Sequence, residues 1–234
     1  MRFVATLLQA VIGLALIALI WWGAASLQGA PAGPFPGPAE VVNKTAELLA
    51  ADAFQQHAWA SLAVLLYGLV PALLVGIVIG AAARASTAAR WLFGPLVVTL
   101  AAAPLFVLLP LLVSWLGSNF TPKVVLVFLV AAFAVANTIT TQSPRRHPGI
   151  IGADGAAPSR AHAIVAGLRV GIVLGVGTLV ATELVMSNTG IGYFVGMSGS
   201  LFNTTDAMAA ALAILVPTIA VGVILQAIEE QLAR

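Results

Sequence analysis

The sequence predicts an all-α polytopic membrane protein with about six transmembrane helices and both termini in the cytoplasm. Three observations carry this. Hydrophobic residues make up 61% of the 234 positions and charged ones only 8%, where a soluble domain is about a quarter charged. The ten basic and eight acidic side chains leave several uncharged runs of about 18 residues or more, the length that crosses a bilayer as a helix. Those runs are continuous, whereas barrel strands alternate polar and apolar positions over about 10 residues.

The elements follow in order, as a single transmembrane domain over 1–234. Residues 3–25 are an apolar run after Met1 and Arg2. The small residues Ala24, Ala25 and Ser26 would suit signal cleavage. A signal core spans about 7–15 residues and this run about 20, so a retained helix is expected. Trp21 and Trp22 then lie at its far interface. Pro31, Pro34, Pro36 and Pro38 follow, and Pro38 is placed to open a short surface helix over 39–50, because proline fits the first helical turn.

The second span is 59–83, where Gly76 and Gly80 form a small-xxx-small pair that permits close helix contact. Residues 84–90 make a short basic loop. The third span, 91–116, contains Pro95, Pro104 and Pro110. It reads equally as a kinked packing helix or as a bend beside a substrate path, since proline frees carbonyls that a neighbour or a cavity must satisfy. The fourth span is 120–140, with Lys123 at its start and Asn137 near its other end. A polar loop, 141–161, holds Arg145, Arg146, Asp154 and Arg160. The fifth span, 162–186, carries Arg169, expected to snorkel to the cytoplasmic interface, and Glu183. Residues 187–206 are polar and glycine-rich, and 207–227 is the sixth span, with Pro217 inside it.

Charge sets the orientation. With the N-terminus inside, Arg2, Arg84, Arg90, Arg145, Arg146, Arg160, Arg169 and Arg234 fall on or near the cytoplasmic side, and only Lys44 and Lys123 outside. That is the positive-inside pattern.

Chemistry is sparse. There is no cysteine, so disulfides and thiol chemistry are excluded. His57, His147 and His162 have no metal-ligand spacing, and no metal site is expected. No nucleophile has a neighbouring base, and no phosphate-binding G-x-x-x-x-G-K-[ST] motif occurs. The chain is not expected to be an enzyme, and any ATP hydrolysis would belong to a separate subunit. A basic balance with so few charges reflects cytoplasmic arginines rather than nucleic-acid binding. Glu183 is the most informative ionisable residue, because a charge inside a span faces the bundle interior or a water-filled cavity. It reads first as a carboxylate hydrogen-bonded to the 188–192 loop, and second as a gate. The pathway or gate candidates are Glu183, Asn188, Asn137, Pro104 and Phe106.

Four stretches carry a family resemblance: FPGPAEVV at 35–42, HAWASLAVLLYGLVPALLVGIVIG at 57–80, APLFVLLPLLVSWLGSNFTPKV at 103–124, and AGLRVGIVLGVGTLVATELVMSNTGIGYF at 166–194. In this order they resemble the permease subunits of bacterial ABC importers, in the group that takes up aliphatic sulfonates, taurine and nitrate. The resemblance implies a type I ABC importer permease fold in the bacterial inner membrane. It also implies a second permease subunit, two ATP-binding subunits inside and a substrate-binding protein outside. ATP and magnesium would sit on the ATPase, with no cofactor in this chain. Substrates of the group are mostly small anions such as sulfonates, nitrate or carboxylates, and some pyrimidines. A secondary carrier would show inverted repeats, and no such halves stand out.

One stretch departs from the family pattern. The resemblance implies a cytoplasmic E-A-A-x-x-x-G element between the fourth and fifth spans, forming the helix that couples to the ATPase. Here stands Gly152-Ala153-Asp154-Gly155-Ala156-Ala157-Pro158. Asp154, Ala156 and Ala157 are a remnant of that element, and Gly155 and Pro158 oppose helix formation. The expected coupling loop is Arg145, Arg146, Asp154, Gly155, Ala156, Ala157 and Arg160. Three outcomes stay open: pairing with a different permease that keeps a full coupling helix, contact with the ATPase through the short basic loop, or a degenerate paralogue serving as a structural or assembly subunit.

Overall fold

A computed structural model describes residues 2–27, 35–142 and 159–232. The described chain is all-helical: α1 (Arg2–Ser26), α2 (Pro38–Ala50), α3 (Asp52–Val64), α4 (Val70–Ala85), α5 (Thr87–Ala102), α6 (Leu109–Leu116), α7 (Phe120–Thr141), α8 (Arg160–Met186), α9 (Ile191–Ser200) and α10 (Thr204–Leu232). Among the described residues four helical stretches are long and apolar enough to cross a membrane, Asp52–Ala85, Phe120–Thr141, Arg160–Met186 and Thr204–Leu232. The pair α5 and α6 supplies a fifth crossing if taken as one broken span. The apolar stretch Val11–Ser26 of α1 is shorter.

α3 and α4 form one helix of 34 residues, joined by a π turn at Leu65–Leu69. Pro71 explains the turn. It has no N–H for the carbonyl four residues back, and its ring crowds that carbonyl, so the preceding turn widens. The stretch 91–116, expected as a single span, is broken into two helices bent by 81°, which pass as one span only together. Pro104 is the cause. It holds Ala103 in extended backbone, φ −71° and ψ 140°, as proline does to the residue before it. Pro95 stays inside α5, and Pro110 opens α6, where its missing N–H costs nothing. The expected loop at 187–206 also contains a helix, α9.

α7 is the hub, packing on α8, α4 and α5. Its buried face includes Leu126, Val127, Ala131, Val135 and Ile139. Two glycine ladders let the neighbouring backbones approach it. On α4, a Cβ at Gly76 would stand 2.6 Å from Val135 Cβ, and one at Gly80 would stand 2.7 Å from Ile139 Cβ. On α8, the side of Gly167, Gly171 and Gly175 meets Ile139, Val135 and Leu69. Without a hydrophobic force between helices in lipid, contact at this range is what holds such helices together. The long apolar side chains of α1, such as Leu16, Ile17 and Ile20, stay exposed on the outside of the bundle.

The bundle has two distinct ends. Arg84, Arg90, Gln142 and Arg160 gather where α4, α5, α7 and α8 begin or end. The starts of α3 and α7, the end of α8, and α2 and α9 gather at the other.

Candidate functional site

At the end away from the arginines, α8 runs out at Met186 and the chain turns back through Ser187 to Gly190. α9 then starts with free backbone N–H groups, as every helix does. Glu183, one turn before the end of α8, supplies the acceptor. Its Oε2 accepts from the Gly192 N–H at 2.9 Å. Ser61 of α3 closes the triangle: its Oγ lies 2.8 Å from both carboxylate oxygens and accepts the Ile191 N–H at 2.8 Å. Glu183 is 0% exposed. A carboxylate is held there because the positive end of α9 and two hydrogen-bond partners replace its water.

Gly190 is the geometric condition for this site. Its φ of +110° is open to glycine alone, and a Cβ there would fall on the Glu183 carboxylate. Its N–H donates to His57 Nδ1 at 3.2 Å, which leaves the imidazole proton on Nε2. His57 lies 5.7 Å from the Tyr193 ring and 5.8 Å from Phe194, so α9 is also held to α3 by its rings. Lys123, 7% exposed, donates to Ser187 Oγ at 2.9 Å, tying in the start of α7. The arrangement positions α9 against α3, α7 and α8. The Ser61 hydroxyl beside the Glu183 carboxylate is buried and engaged with the Ile191 N–H, so it serves the packing of α9.

The opposite end is built from cations. Arg84, Arg90 and Arg160 line a cavity of about 450 Å³ with Ile139 and Ile164. Arg84 donates to Gln142 O at 3.2 Å and Arg90 to Ala83 O at 3.1 Å. Arg169 pairs with Glu229 of α10 at 3.0 Å, so its head is held by a neighbouring helix rather than only reaching for the interface. His162 Nδ1 lies 2.9 Å from Glu229 O, and Ser159 caps α8 through the His162 N–H. Of the expected coupling loop, Arg160 is the first residue of α8. Arg145, Arg146, Asp154, Gly155, Ala156 and Ala157 lie outside the described residues.

The five pathway candidates are spread apart. Asn188 is exposed in the turn after α8, near Glu183. Pro104 and Phe106 lie at the α5–α6 bend, both exposed, with Leu105 and Leu109 packing beneath them near Leu126. Asn137 lies near the arginine end of α7, and its Oδ1 has no hydrogen-bond partner among the described residues. The bond expected from Glu183 to the 188–192 loop is made at Gly192, while the parts played by Ser61, His57 and Lys123 escaped the sequence reading. The signal for two of them was present, since His57 and Ser61 are four apart and share one face of a helix.

No family model matches the chain. Among curated proteins it is similar to the taurine transport system permease protein TauC of Escherichia coli (strain K12), with 32% identity over 220 residues, covering 86% of this chain and 80% of that one. It is also similar to the riboflavin transport system permease protein RibX of Chloroflexus aurantiacus, with 26% identity and coverage of 94% and 87%. The formylaminopyrimidine transport permease protein ThiX of Halalkalibacterium halodurans is 26% identical, with coverage of 76% of each chain.

Proposed function

This chain belongs to the permease subunits of ABC importers, a transport subunit rather than an enzyme, and from that premise we propose its place in the assembly. With a second permease subunit it forms the path of a small solute across the bacterial inner membrane. ATP-binding subunits, carrying ATP and magnesium, dock at the arginine end. A substrate-binding protein docks at the Glu183 end. Both termini are cytoplasmic, and α1 and the α5–α6 pair complete six spans.

The observation that carries this is the separation of charge between the two ends. Arg84, Arg90, Arg160 and Arg169 lie at one, Lys44 and Lys123 at the other, the asymmetry that orients membrane proteins. The solute is a small anion or zwitterion, such as a sulfonate, nitrate or a carboxylate. The taurine name of one relative supports this, while riboflavin and formylaminopyrimidine in the names of the others widen the range.

The test is co-expression with the ATPase and binding protein of the same gene cluster, followed by ATP-dependent uptake of labelled taurine, nitrate and riboflavin into proteoliposomes. Uptake of one solute that needs all components supports the reading. Failure of the ATPase to co-purify would leave the structural-subunit alternative. A complex with two copies of this chain and two ATPases would exclude pairing with a different permease.

A further inference from the structure

The cavity at the arginine end gathers cations from three helices. Arg84 stands in the last turn of α4, Arg90 in the first turn of α5, and Arg160 opens α8. With Ala81, Ile139 and Ile164 they line about 450 Å³, within the range of about 300–1,000 Å³ common to small-molecule sites. Among the described residues that line it there is no carboxylate. Arg84 and Arg90 are held by backbone. Arg84 donates to Gln142 O at 3.2 Å, and Arg90 donates to Ala83 O at 3.1 Å and Arg84 O at 3.3 Å. Such carbonyls are left over where helices end, and bonds to them fix a guanidinium in place without cancelling its charge.

Arg160 differs. It is exposed, and among the described residues its side chain has no hydrogen-bond or ion-pair partner. It sits at the start of α8, and Arg90 at the start of α5, where the positive end of the helix dipole repels a cation and favours an anion. Neither first turn carries an acidic residue. An anion in the cavity would satisfy both helix starts and the guanidiniums together. The lining points to which anion. The arginines stand at helix ends, the level of the headgroups in a membrane-spanning bundle. Ala81, Ile139 and Ile164 lie about one turn further in on α4, α7 and α8. A small water-soluble anion gains nothing from that apolar floor. A phospholipid phosphate does, since its glycerol and first acyl carbons lead toward the hydrocarbon. Phosphate is also the group that guanidinium forks match with paired hydrogen bonds.

We propose that this cavity binds the phosphate of an anionic phospholipid from the adjoining leaflet. Basic pockets between membrane helices recognise such headgroups. Arg84 and Arg90 supply charge at fixed positions, and Arg160 supplies the ion pair. Bound there, the lipid ties α4, α5, α7 and α8 together at this end. The site rests on the membrane-spanning reading alone. That the leaflet is the cytoplasmic one rests on the orientation given under Proposed function.

The test uses the intact transport complex, purified in detergent and stripped of lipid. Phosphatidylglycerol, phosphatidylcholine and inorganic phosphate are titrated separately, with binding read by native mass spectrometry and by melting temperature. Phosphatidylglycerol is expected to bind and to raise the melting temperature, and the other two to do neither at the same concentration. Arg160→Gln is expected to raise the Kd for phosphatidylglycerol about fivefold. Lys44→Gln, at the opposite end, is expected to leave it unchanged. Equal binding of phosphatidylcholine, or an unchanged Kd in Arg160→Gln, overturns the proposal. Inorganic phosphate acting as well as the lipid assigns the cavity to a soluble anion and overturns the lipid as its source. Loss of the ATPase from the Arg160→Gln complex with phosphatidylglycerol binding unchanged assigns that arginine to the ATPase instead. ATP-dependent uptake by the wild-type complex, measured alongside, fails only if the importer reading fails.

Discussion

The two ends of the bundle are held by opposite means. At the Glu183 end a fully buried carboxylate, a serine and a histidine fix the first turn of α9. Short side chains meet backbone N–H groups there, and little conformational freedom remains. At the other end long cationic side chains reach backbone carbonyls and the partly exposed Glu229 carboxylate. Burial makes each contact at the first end expensive to lose, because an unpaired donor or charge there has no water to turn to. Solvent softens the second. The difference teaches where the restraint lies: the α8–α9 turn is tied by buried contacts, and the arginine end by contacts that solvent reaches.

The largest effect is expected at Gly190. Gly190→Ala combines a φ of +110° with a Cβ that falls on the Glu183 carboxylate. A loss of about 3 kcal/mol or more is expected, read as lost thermal stability of the detergent-purified protein. A melting temperature equal to the wild type would mean that α9 is not held as described, and the contrast between the ends would collapse.

Glycine ladder substitutions test the part of the bundle that both ends share. Gly76→Val sets a Cβ 2.6 Å from Val135 Cβ and 2.7 Å from Ala132 O, and backbone cannot yield as a flexible side chain can. Destabilisation of about 1–3 kcal/mol is expected. Gly177 on α8, with nothing near its Cβ position, is the control, and Gly177→Ala is expected to be neutral or mildly stabilising. Equal losses at the two positions would show that the ladder is not a packing device.

Glu183→Gln keeps the volume and one acceptor but removes the charge facing the α9 N-terminus. A loss of about 1–2 kcal/mol is expected, against a larger one for Glu183→Ala, which also strands the Gly192 N–H. If glutamine proves as stable as glutamate, shape and hydrogen bonding hold the turn and charge does not.

What the sequence made legible follows from what is local. Long apolar runs announce helices because the bilayer demands internal hydrogen bonding, so α7, α8 and α10 could be read directly. The break at Pro104 could not be told from Pro95 or Pro110, since all three interrupt an equally apolar stretch and only neighbouring packing decides which one ends a helix. α9 was hidden for a related reason. Ten residues with three glycines among them make a poor isolated helix, and this one is completed by acceptors from Glu183 and Ser61, which lie far apart in sequence. Glu183 itself was visible as an odd charge in an apolar run, while its partner Ser61 looked like any small residue in a span. The glycine pair on α4 was visible, but the ladder Gly167, Gly171 and Gly175 was not, although it has the same spacing of four.

The smallest effect belongs to the arginine end and completes the comparison. Arg169 Nε and Glu229 Oε2 lie 3.0 Å apart, with side chains 33% and 14% exposed, so solvent screens the pair on one side. A double-mutant cycle of Arg169→Met and Glu229→Gln is expected to return a coupling of about 0.5–1 kcal/mol. His162, which also approaches Glu229 at 3.7 Å, would retain part of the contact in the arginine variant and keep the coupling low. The coupling should shrink as salt rises, because screening acts on exposed pairs and spares buried ones. The Glu183 contacts give the reference, since their loss should be nearly independent of salt. A salt-independent coupling of several kcal/mol at Arg169–Glu229 would place that pair in the same class as the Glu183 network. The arginine end would then be as rigid as the other, and the contrast between the two ends would be lost.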